Sequence, residues 1–467
     1  MKRVGNLYEI MKSKGTAVMA ILEGTRNKHH LKEVRKRFLS EDLHSVDHEK
    51  IEKEAEKLAE KLDGWEPAAL TVKYFHMPGH KDRQLAVPTL TDHLFGWMLI
   101  IALKPVLMRG MYQDCIGSVP GRGIEYGRAA VERWVKHDRE AEYFVKLDIR
   151  QYYRNVDTEL LKEKFRKIVK DPQMLHYIDL HIDMTENAVN ISGEPIQKIQ
   201  GLPIGTYTAP WFANFYLQDL DHFIMEQLYK TRRGKRQNYV RHYLRNIDDM
   251  LLIGSSRRDL EKAVRSVIEY LGRIGLRVHE EWEIKRIGEM TETEGSYKLK
   301  TGTYPIDILG YRFYRAETTV RSSIYLNTLR TARKIRKDLE HGKIMLHDAE
   351  SLVSRIGWFS HADSKEFMRQ IREIVPLKFV KGVIGYAAKN GIIGISAVIY
   401  CDKRGTNSCY HILHGCRGGA ARRNNGVYSH SVGSESPVAG ASGREDRFKS
   451  GKLVSDRPGC CVQLSLF

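Results

Sequence analysis

The chain has 467 residues, enough for roughly two to four compact units, and 76 Lys plus Arg against 58 Asp plus Glu give a net charge of +18. Such an excess points to a polyanionic partner, nucleic acid or an anionic membrane surface. No run of 18 apolar residues and no apolar segment after the N-terminus stand in the sequence, and of six cysteines only Cys115 precedes residue 400; these features argue against a membrane span and a secreted disulfide framework, so a soluble cytoplasmic protein is expected.

Residues 1–65 read as a charged helical extension. In it Ile51, Ala55, Leu58, Ala59 and Leu62 recur at helical spacing among Glu and Lys, as in a surface helix packed on a larger lobe. Over 66–315 strands and helices alternate, the pattern of a mixed α/β body. Over 316–385 the pattern turns helical, with Leu329, Ala332, Ile335 and Leu339 on one face and Arg330, Arg333, Lys334, Arg336 and Lys337 around it. That basic side either faces a duplex or is a solvated surface. Residues 386–467 read as a largely flexible tail. Gly391 to Val398 could form one more strand, but from Gly415 onward Gly, Ser, Arg and Asn leave too little apolar surface to fold alone.

The stretch Tyr243-Leu244-Arg245-Asn246-Ile247-Asp248-Asp249-Met250-Leu251-Leu252-Ile253-Gly254 sets two adjacent carboxylates between apolar runs, a β-hairpin with the acids at its turn. Burying like charges side by side is costly unless they share a cation. About one hundred residues earlier, Phe144-Val145-Lys146-Leu147-Asp148 ends another strand-like run on a single acid. Three carboxylates on neighbouring strand ends are what two-magnesium phosphoryl transfer needs: one ion lowers the pKa of an attacking 3′-hydroxyl and the other neutralises the leaving pyrophosphate. Asp148, Asp248 and Asp249, with Ile149 beside them, are the expected metal contacts, for two Mg²⁺ with Mn²⁺ as a substitute. A surface Asp-Asp turn explains the hairpin alone, but not the Asp148 segment or the motif order.

From about residue 70 to about 375 that order resembles a reverse transcriptase. The resemblance implies a right-hand polymerase fold, an α/β class with an α+β palm, fingers, a helical thumb and the flexible tail. It also implies RNA-directed DNA synthesis on a structured noncoding or template RNA, with a DNA primer or product, dNTPs, room for an accessory protein, and no membrane. His80 to Pro88 resembles the basic fingers hairpin, where Lys81 and Arg83 share a strand face toward the triphosphate. Gly117 to Arg128 resembles the segment that contacts the template, or is an ordinary loop leading into a helix at Arg128 to Val135. Tyr153, five residues after Asp148, matches the aromatic that excludes a 2′-hydroxyl; in the alternative, Tyr153 packs in the palm and Tyr152 is the exposed ring. Gly201 to Pro210, before an amphipathic helix Trp211 to Leu220, resembles the floor of the nucleotide pocket. Ile204 stands there, next to Gly205, where many members of the resembling family carry Gln and retroelement mutators an aliphatic residue, and one lost hydrogen bond of about 1 kcal/mol would change discrimination about fivefold.

Asn246 departs from the resemblance, replacing the usual aromatic two residues before the acid pair. Lys285 matches a lysine near the leaving pyrophosphate, a candidate proton donor, or is simply solvated. Leu309-Gly310-Tyr311 matches the primer grip, and Ile356 to Ala362 a thumb-helix junction. Tyr229 to His242 is a basic patch that either holds structured RNA or is a solvated loop. The opening Lys2 to Glu9 resembles reverse transcriptases of diversity-generating retroelements and of antiphage defence. Cys409-Tyr410-His411-Ile412-Leu413-His414-Gly415-Cys416 carries soft zinc ligands, at tighter spacing than ordinary zinc fingers. The terminus, with Gln463, Leu464, Leu466 and Phe467, resembles the peptide that docks on a sliding clamp, or is an apolar end packed on the chain itself. Two further classes stay open: an RNA scaffold that keeps the polymerase fold, and template-independent synthesis.

Overall fold

Short apolar runs, buried along most of their length, build a five-stranded sheet from segments far apart in the chain. Its strands are β1 (Tyr143–Asp148), β2 (His242–Asn246), β3 (Asp249–Gly254), β4 (Lys285–Ile287) and β5 (Thr303–Tyr304), in the order β5-β4-β1-β3-β2. Neighbouring strands are antiparallel throughout except β5, which runs parallel to β4. The computed structural model describes residues 3–29, 31–40, 45–75, 83–293, 296–389, 397–401 and 409–413. The chain divides into two compact units, one up to Thr319 and one beginning at Val320.

Four helices frame the sheet region. Helix α1 (Leu90–Arg109) is apolar nearly all round and packs against helices Lys14–Thr25, Leu7–Lys12 and His48–Leu62. By length and composition it could cross a membrane, yet 61% of its apolar window is buried in the protein. Asp92, His93 and Lys104 interrupt its run, so the sequence shows no unbroken apolar stretch. The start of α1 is fixed by Thr89, whose hydroxyl accepts from the Asp92 N–H at 3.2 Å and donates to the Asp92 carboxylate at 2.7 Å. The same carboxylate accepts the Trp65 indole N–H at 2.9 Å. Helix α2 (Ile124–His137) buries Ala130, Val131, Trp134 and Val135. Helix α3 (Thr208–Tyr216) is buried at every position. This corrects the amphipathic helix expected over 211–220: α3 is a core helix, and a separate short helix Gln218–His222 follows it. Helix α4 (Arg257–Arg273) lays Leu260, Ala263, Val264, Val267 and Leu271 on β1 and β3, the 3–4 spacing of an amphipathic stripe.

The N-terminal residues join the same core. Val4 bridges Val169, and the Asp171 carboxylate accepts backbone N–H groups from Asn6, Leu7 and Tyr8. Ile51, Ala55, Leu58 and Leu62 are buried as their spacing required. In the second unit, helix Ser322–Glu340 buries Thr328, Ala332, Ile335 and Leu339, with Thr328 in the place expected of Leu329. Helices Leu346–Phe359, Lys365–Ile374 and Leu377–Lys389 follow, and Phe367 meets Tyr325 at 4.0 Å and Phe359 at 4.6 Å. Strand Lys343–Met345 pairs with Val398–Cys401, which pairs with Cys409–Leu413. The side chains of Cys401 and Cys409, and residues 414–467, lie outside the described residues.

His181, on helix Pro172–Asp183, sits 5.0 Å from the Trp65 ring and is 2% exposed, and its Nε2 has no hydrogen-bond partner among the described residues. Burial holds its pKa down at about 3, against an ordinary 6.5. The folded state therefore refuses a proton that the unfolded chain takes up below pH 6.5. Stability is full above pH 6.5 and falls between 6.5 and about 3, by on the order of 1 kcal/mol per pH unit for this one group. Thermal unfolding of His181→Gln should show a shallower decline over pH 6.5–4.5 than the wild type; equal slopes would mean that His181 is solvated.

Candidate active site

Strand β1 ends on Asp148 and β3 begins on Asp249, and the register pairs these two residues directly. Asn246, the last residue of β2, pairs with Asp249 from the other side. Asn246, Asp249 and Asp148 thus form a row on one face of the sheet, at about 5 Å steps between Cβ atoms. Asp248 occupies the two-residue turn between β2 and β3, after Ile247 at φ +57°. A two-residue hairpin favours positive φ at its first central position, where Gly is the usual residue. The Asp148 side chain is 53% exposed, with His279 Nε2 at 3.9 Å. The His279 N–H donates to the Asp148 carbonyl at 2.9 Å. Ile149 is buried behind it and bridges Val278.

Facing carboxylates repel unless protonated or sharing a cation. Hard oxygen donors open to solvent suit Mg²⁺ or Mn²⁺. Among the described residues no three acidic, His or Cys side chains already close around one point. The donors form an open row, which leaves room for substrate oxygens.

Beneath the turn lies a buried polar network centred on Arg245, which with Asp221 is 0% exposed. Arg245 donates from Nε to Asp221 Oδ1 at 2.7 Å and from Nη2 to Oδ2 at 2.6 Å, a bidentate pair. Its Nη1 donates to Asn214 Oδ1 at 3.0 Å and to the Ile247 carbonyl at 3.1 Å. Tyr243 donates to Asp221 Oδ1 at 2.9 Å, and Asn214 Nδ2 donates to the Gly117 carbonyl at 2.6 Å. Burial opposes the Arg245 charge, but the Asp221 carboxylate outweighs it and holds the guanidinium charged. A β-branched residue in the left-handed region costs about 1–2 kcal/mol, and the bond from Arg245 holds Ile247 there.

The nucleotide-pocket candidates are gathered through backbone. The Leu202 N–H donates to the Tyr153 carbonyl at 2.8 Å, and the Ala86 N–H donates to the Ile204 carbonyl at 2.7 Å. Both joints need glycine. A Cβ on Gly201 (φ +71°) would stand 2.1 Å from the Tyr153 carbonyl oxygen, and one on Gly205 (φ +119°) 2.3 Å from that of Ala86. The structure thus brings Tyr153, Ile204, Gly205 and strand Arg83–Val87 together. Tyr153 is half-buried, and burial, then the Asp248 charge, push its phenol above the ordinary range. Tyr152 is not the exposed ring of the alternative reading. It is 2% exposed, and its hydroxyl donates to the Ala213 carbonyl at 2.5 Å.

The turn Leu309–Gly310 joins strands Ile306–Ile308 and Tyr311–Phe313, and the Tyr311 hydroxyl donates to Glu125 of α2 at 3.2 Å. The segment expected to contact template forms a loop up to Gly123, followed by α2. Lys285 is not brought to the acids. It pairs with Phe144, four residues from Asp148 and so about 13 Å away along β1, where it meets Glu283 at 3.3 Å and the Tyr304 ring at 5.0 Å. Lys81 and the clamp-like residues Gln463, Leu464, Leu466 and Phe467 lie outside the described residues, as does the side chain of Arg83. Sequence reasoning missed Asn214 and Asp221. Their signal was a polar Asn214 inside an otherwise apolar helix and an Arg245 following the apolar Tyr243-Leu244 in a strand, each a polar group that burial obliges to find a partner.

Removing one partner of a buried pair strands the other charge, at a cost of about 3–5 kcal/mol. Arg245→Met should lose stability on that scale in urea unfolding, and the double variant Arg245→Met, Asp221→Leu should recover most of it. A single variant as stable as the wild type would contradict the network.

Residues 78–313, half of the chain, match the family model described as reverse transcriptase (RNA-dependent DNA polymerase). The group II intron-encoded protein LtrA of Lactococcus lactis subsp. cremoris is 25% identical over 194 residues, 41% of this chain, as is its counterpart in strain MG1363. The match covers 31% of that protein, so the chain spans under a third of the relative's length. Among solved structures, apo telomerase from Candida tropicalis, truncated from its C-terminal domain, aligns with TM-score 0.39 at 14% identity over 54% of this chain and 55% of that one. The family match takes in the sheet, α1 to α4 and the strand at Arg83, a mixed helix and strand body with the right-hand polymerase fold. The chain belongs to the reverse transcriptase family.

Proposed function

We propose that the chain is an RNA-directed DNA polymerase that makes cDNA from a cognate structured RNA. The observation that carries this reading is the register of Asp148 against Asp249, with Asp248 in the adjoining turn. Bound at these three residues and beside Ile149, Mg²⁺ ions would activate a primer 3′-hydroxyl and neutralise the leaving pyrophosphate. The protein holds these carboxylates on a turn that Arg245 anchors, so little reorganisation accompanies reaction. Tyr153 is assigned the ring beneath the sugar that excludes a 2′-hydroxyl, supported by its half-buried place beside the Gly201–Gly205 loop. The Ile204–Gly205 backbone floors the nucleotide site, with Lys81 and Arg83 of the fingers reaching the triphosphate, and Leu309, Gly310 and Tyr311 hold the primer end.

The setting we propose is a mutagenic retroelement or an antiphage system built on a noncoding RNA, in the cytoplasm. The opening residues through Glu9 and the aliphatic Ile204 support the first, and Asn246 and the tail support the second. In either setting, Gln463 to Phe467 offer a tethered peptide to a sliding clamp, and an accessory protein is compatible with both. Asp148, Asp248 and Asp249, all three acids of a two-metal site, speak against a pure RNA scaffold, which needs no metal-binding carboxylates. Sequencing the product made with and without co-purifying RNA separates templated from template-independent synthesis.

Asp148→Ala, Asp248→Ala and Asp249→Ala should each abolish dNTP incorporation while RNA binding persists; continued synthesis by the triple variant would move the site elsewhere. Tyr153→Ala should admit rNTPs, and unchanged dNTP preference in a competition assay would remove Tyr153 as the gate. Ile204→Gln should lower misincorporation by about fivefold, the worth of one hydrogen bond. Equal error frequencies on one template would take Ile204 out of the account.

A further inference from the structure

Strands Tyr229–Arg232 and Lys235–Asn238 form a two-stranded hairpin separate from the palm sheet. Residues 231–238 are all exposed. A hairpin this small is marginal by itself, so something must hold it. The holding contacts lie at its base. Lys230 is paired with Asp259 of α4, and Arg236 stacks over the Tyr229 ring at 4.3 Å. Arg236 also donates to the Glu226 carbonyl at 2.5 Å, and Asn238 Nδ2 donates to the Met225 carbonyl at 3.3 Å.

The tip is built differently. Arg233 and Gly234 form its turn at φ +51° and +72°, the conformation that Asn-Gly adopts at least cost. Arg stands there instead of Asn, a local rule broken at an exposed position. Arg232 faces Lys235 across the ladder. Arg232, Arg233 and Lys235 have no ion-pair partner among the described residues, nor do the exposed Arg257 and Arg258 that open α4 beside Asp259. Like charges directly opposite on a ribbon destabilise it unless an anion neutralises them. The hairpin therefore presents three cations within about 10 Å, on a base fastened to the palm.

Its place sets it apart from the catalytic carboxylates. The hairpin enters β2 at the His242 end, and Asn246 and the acids lie about 13 Å further along that strand. We propose that this hairpin grips the phosphodiester backbone of a duplex segment in the folded RNA, outside the polymerase cleft. The idea rests on the polymerase reading only for the identity of that RNA. A ribbon whose tip carries cations on both strands suits the two phosphate rows flanking a groove, and the contact reads shape and charge without base sequence.

The test uses the full chain carrying Arg232→Gln, Arg233→Asn and Lys235→Gln, where Asn preserves the turn. Binding of an RNA stem-loop, an RNA–DNA primer–template and a single-stranded RNA is measured across a salt series. For the stem-loop, the slope of log affinity against log salt should shrink by about 2 to 3, near 0.7–0.9 per lost phosphate contact. Primer–template binding and dNTP incorporation should hold. A charge-keeping variant, Arg232→Lys with Arg233→Lys, should retain most of the wild-type slope, and thermal midpoints should match throughout. An unchanged stem-loop slope, or a loss confined to the primer–template or the single strand, overturns the proposal. Absence of polymerisation by the wild type would instead overturn the function proposed above and leave this test readable.

Discussion

A single buried charge pair carries the candidate active site. Arg245 and Asp221 exclude water completely, and the same guanidinium reaches Asn214 and the carbonyl of the turn that bears Asp248. Taking two ions out of water costs several kcal/mol each, and only dense hydrogen bonding recovers it. Here the bidentate contact, the Tyr243 hydroxyl and the Asn214 amide supply that bonding. The result is a rigid floor under carboxylates that must stay close despite mutual repulsion. Asn214 extends this floor to the Gly117 carbonyl, so the loop that resembles a template contact and the acid hairpin share one support.

A second constraint is close backbone approach. Gly201 and Gly205 let the loop between them touch the Tyr153 turn and the strand Arg83–Val87, with no space for a side chain at either joint. The nucleotide-pocket candidates are thereby set by main-chain hydrogen bonds, which side-chain substitution leaves largely intact. The side chains of Ile204 and Tyr153 can therefore vary in chemistry on a fixed backbone frame.

Much of this was legible in the sequence. The apolar runs around Asp248–Asp249 and before Asp148 specified strands with acids at their ends, and the register pairs Asp148 with Asp249. The 3–4 spacing in residues 51–62 named the buried face of that helix. What escaped has physical reasons. Helix α3 reads as amphipathic because Asn214 is polar, yet Asn214 is buried against Arg245, a partner no local pattern reveals. Lys285 matches a motif by position, but β4 meets β1 at Phe144, which sets it at the far end of the sheet. Tyr152 and Tyr153 are indistinguishable in composition; the short helix Tyr152–Asn155 turns one inward and leaves the other half-exposed.

Asp148 and Asp249, paired across β1 and β3, and Asp248 in the anchored turn are proposed to bind the catalytic cations together. Anomalous diffraction from crystals grown with Mn²⁺, a primer–template and a non-hydrolysable dNTP tests it most directly. Mn²⁺ peaks are expected at Asp148 and the Asp248–Asp249 turn. Mn²⁺ bound elsewhere in the chain, with the three carboxylates free of metal, would contradict it.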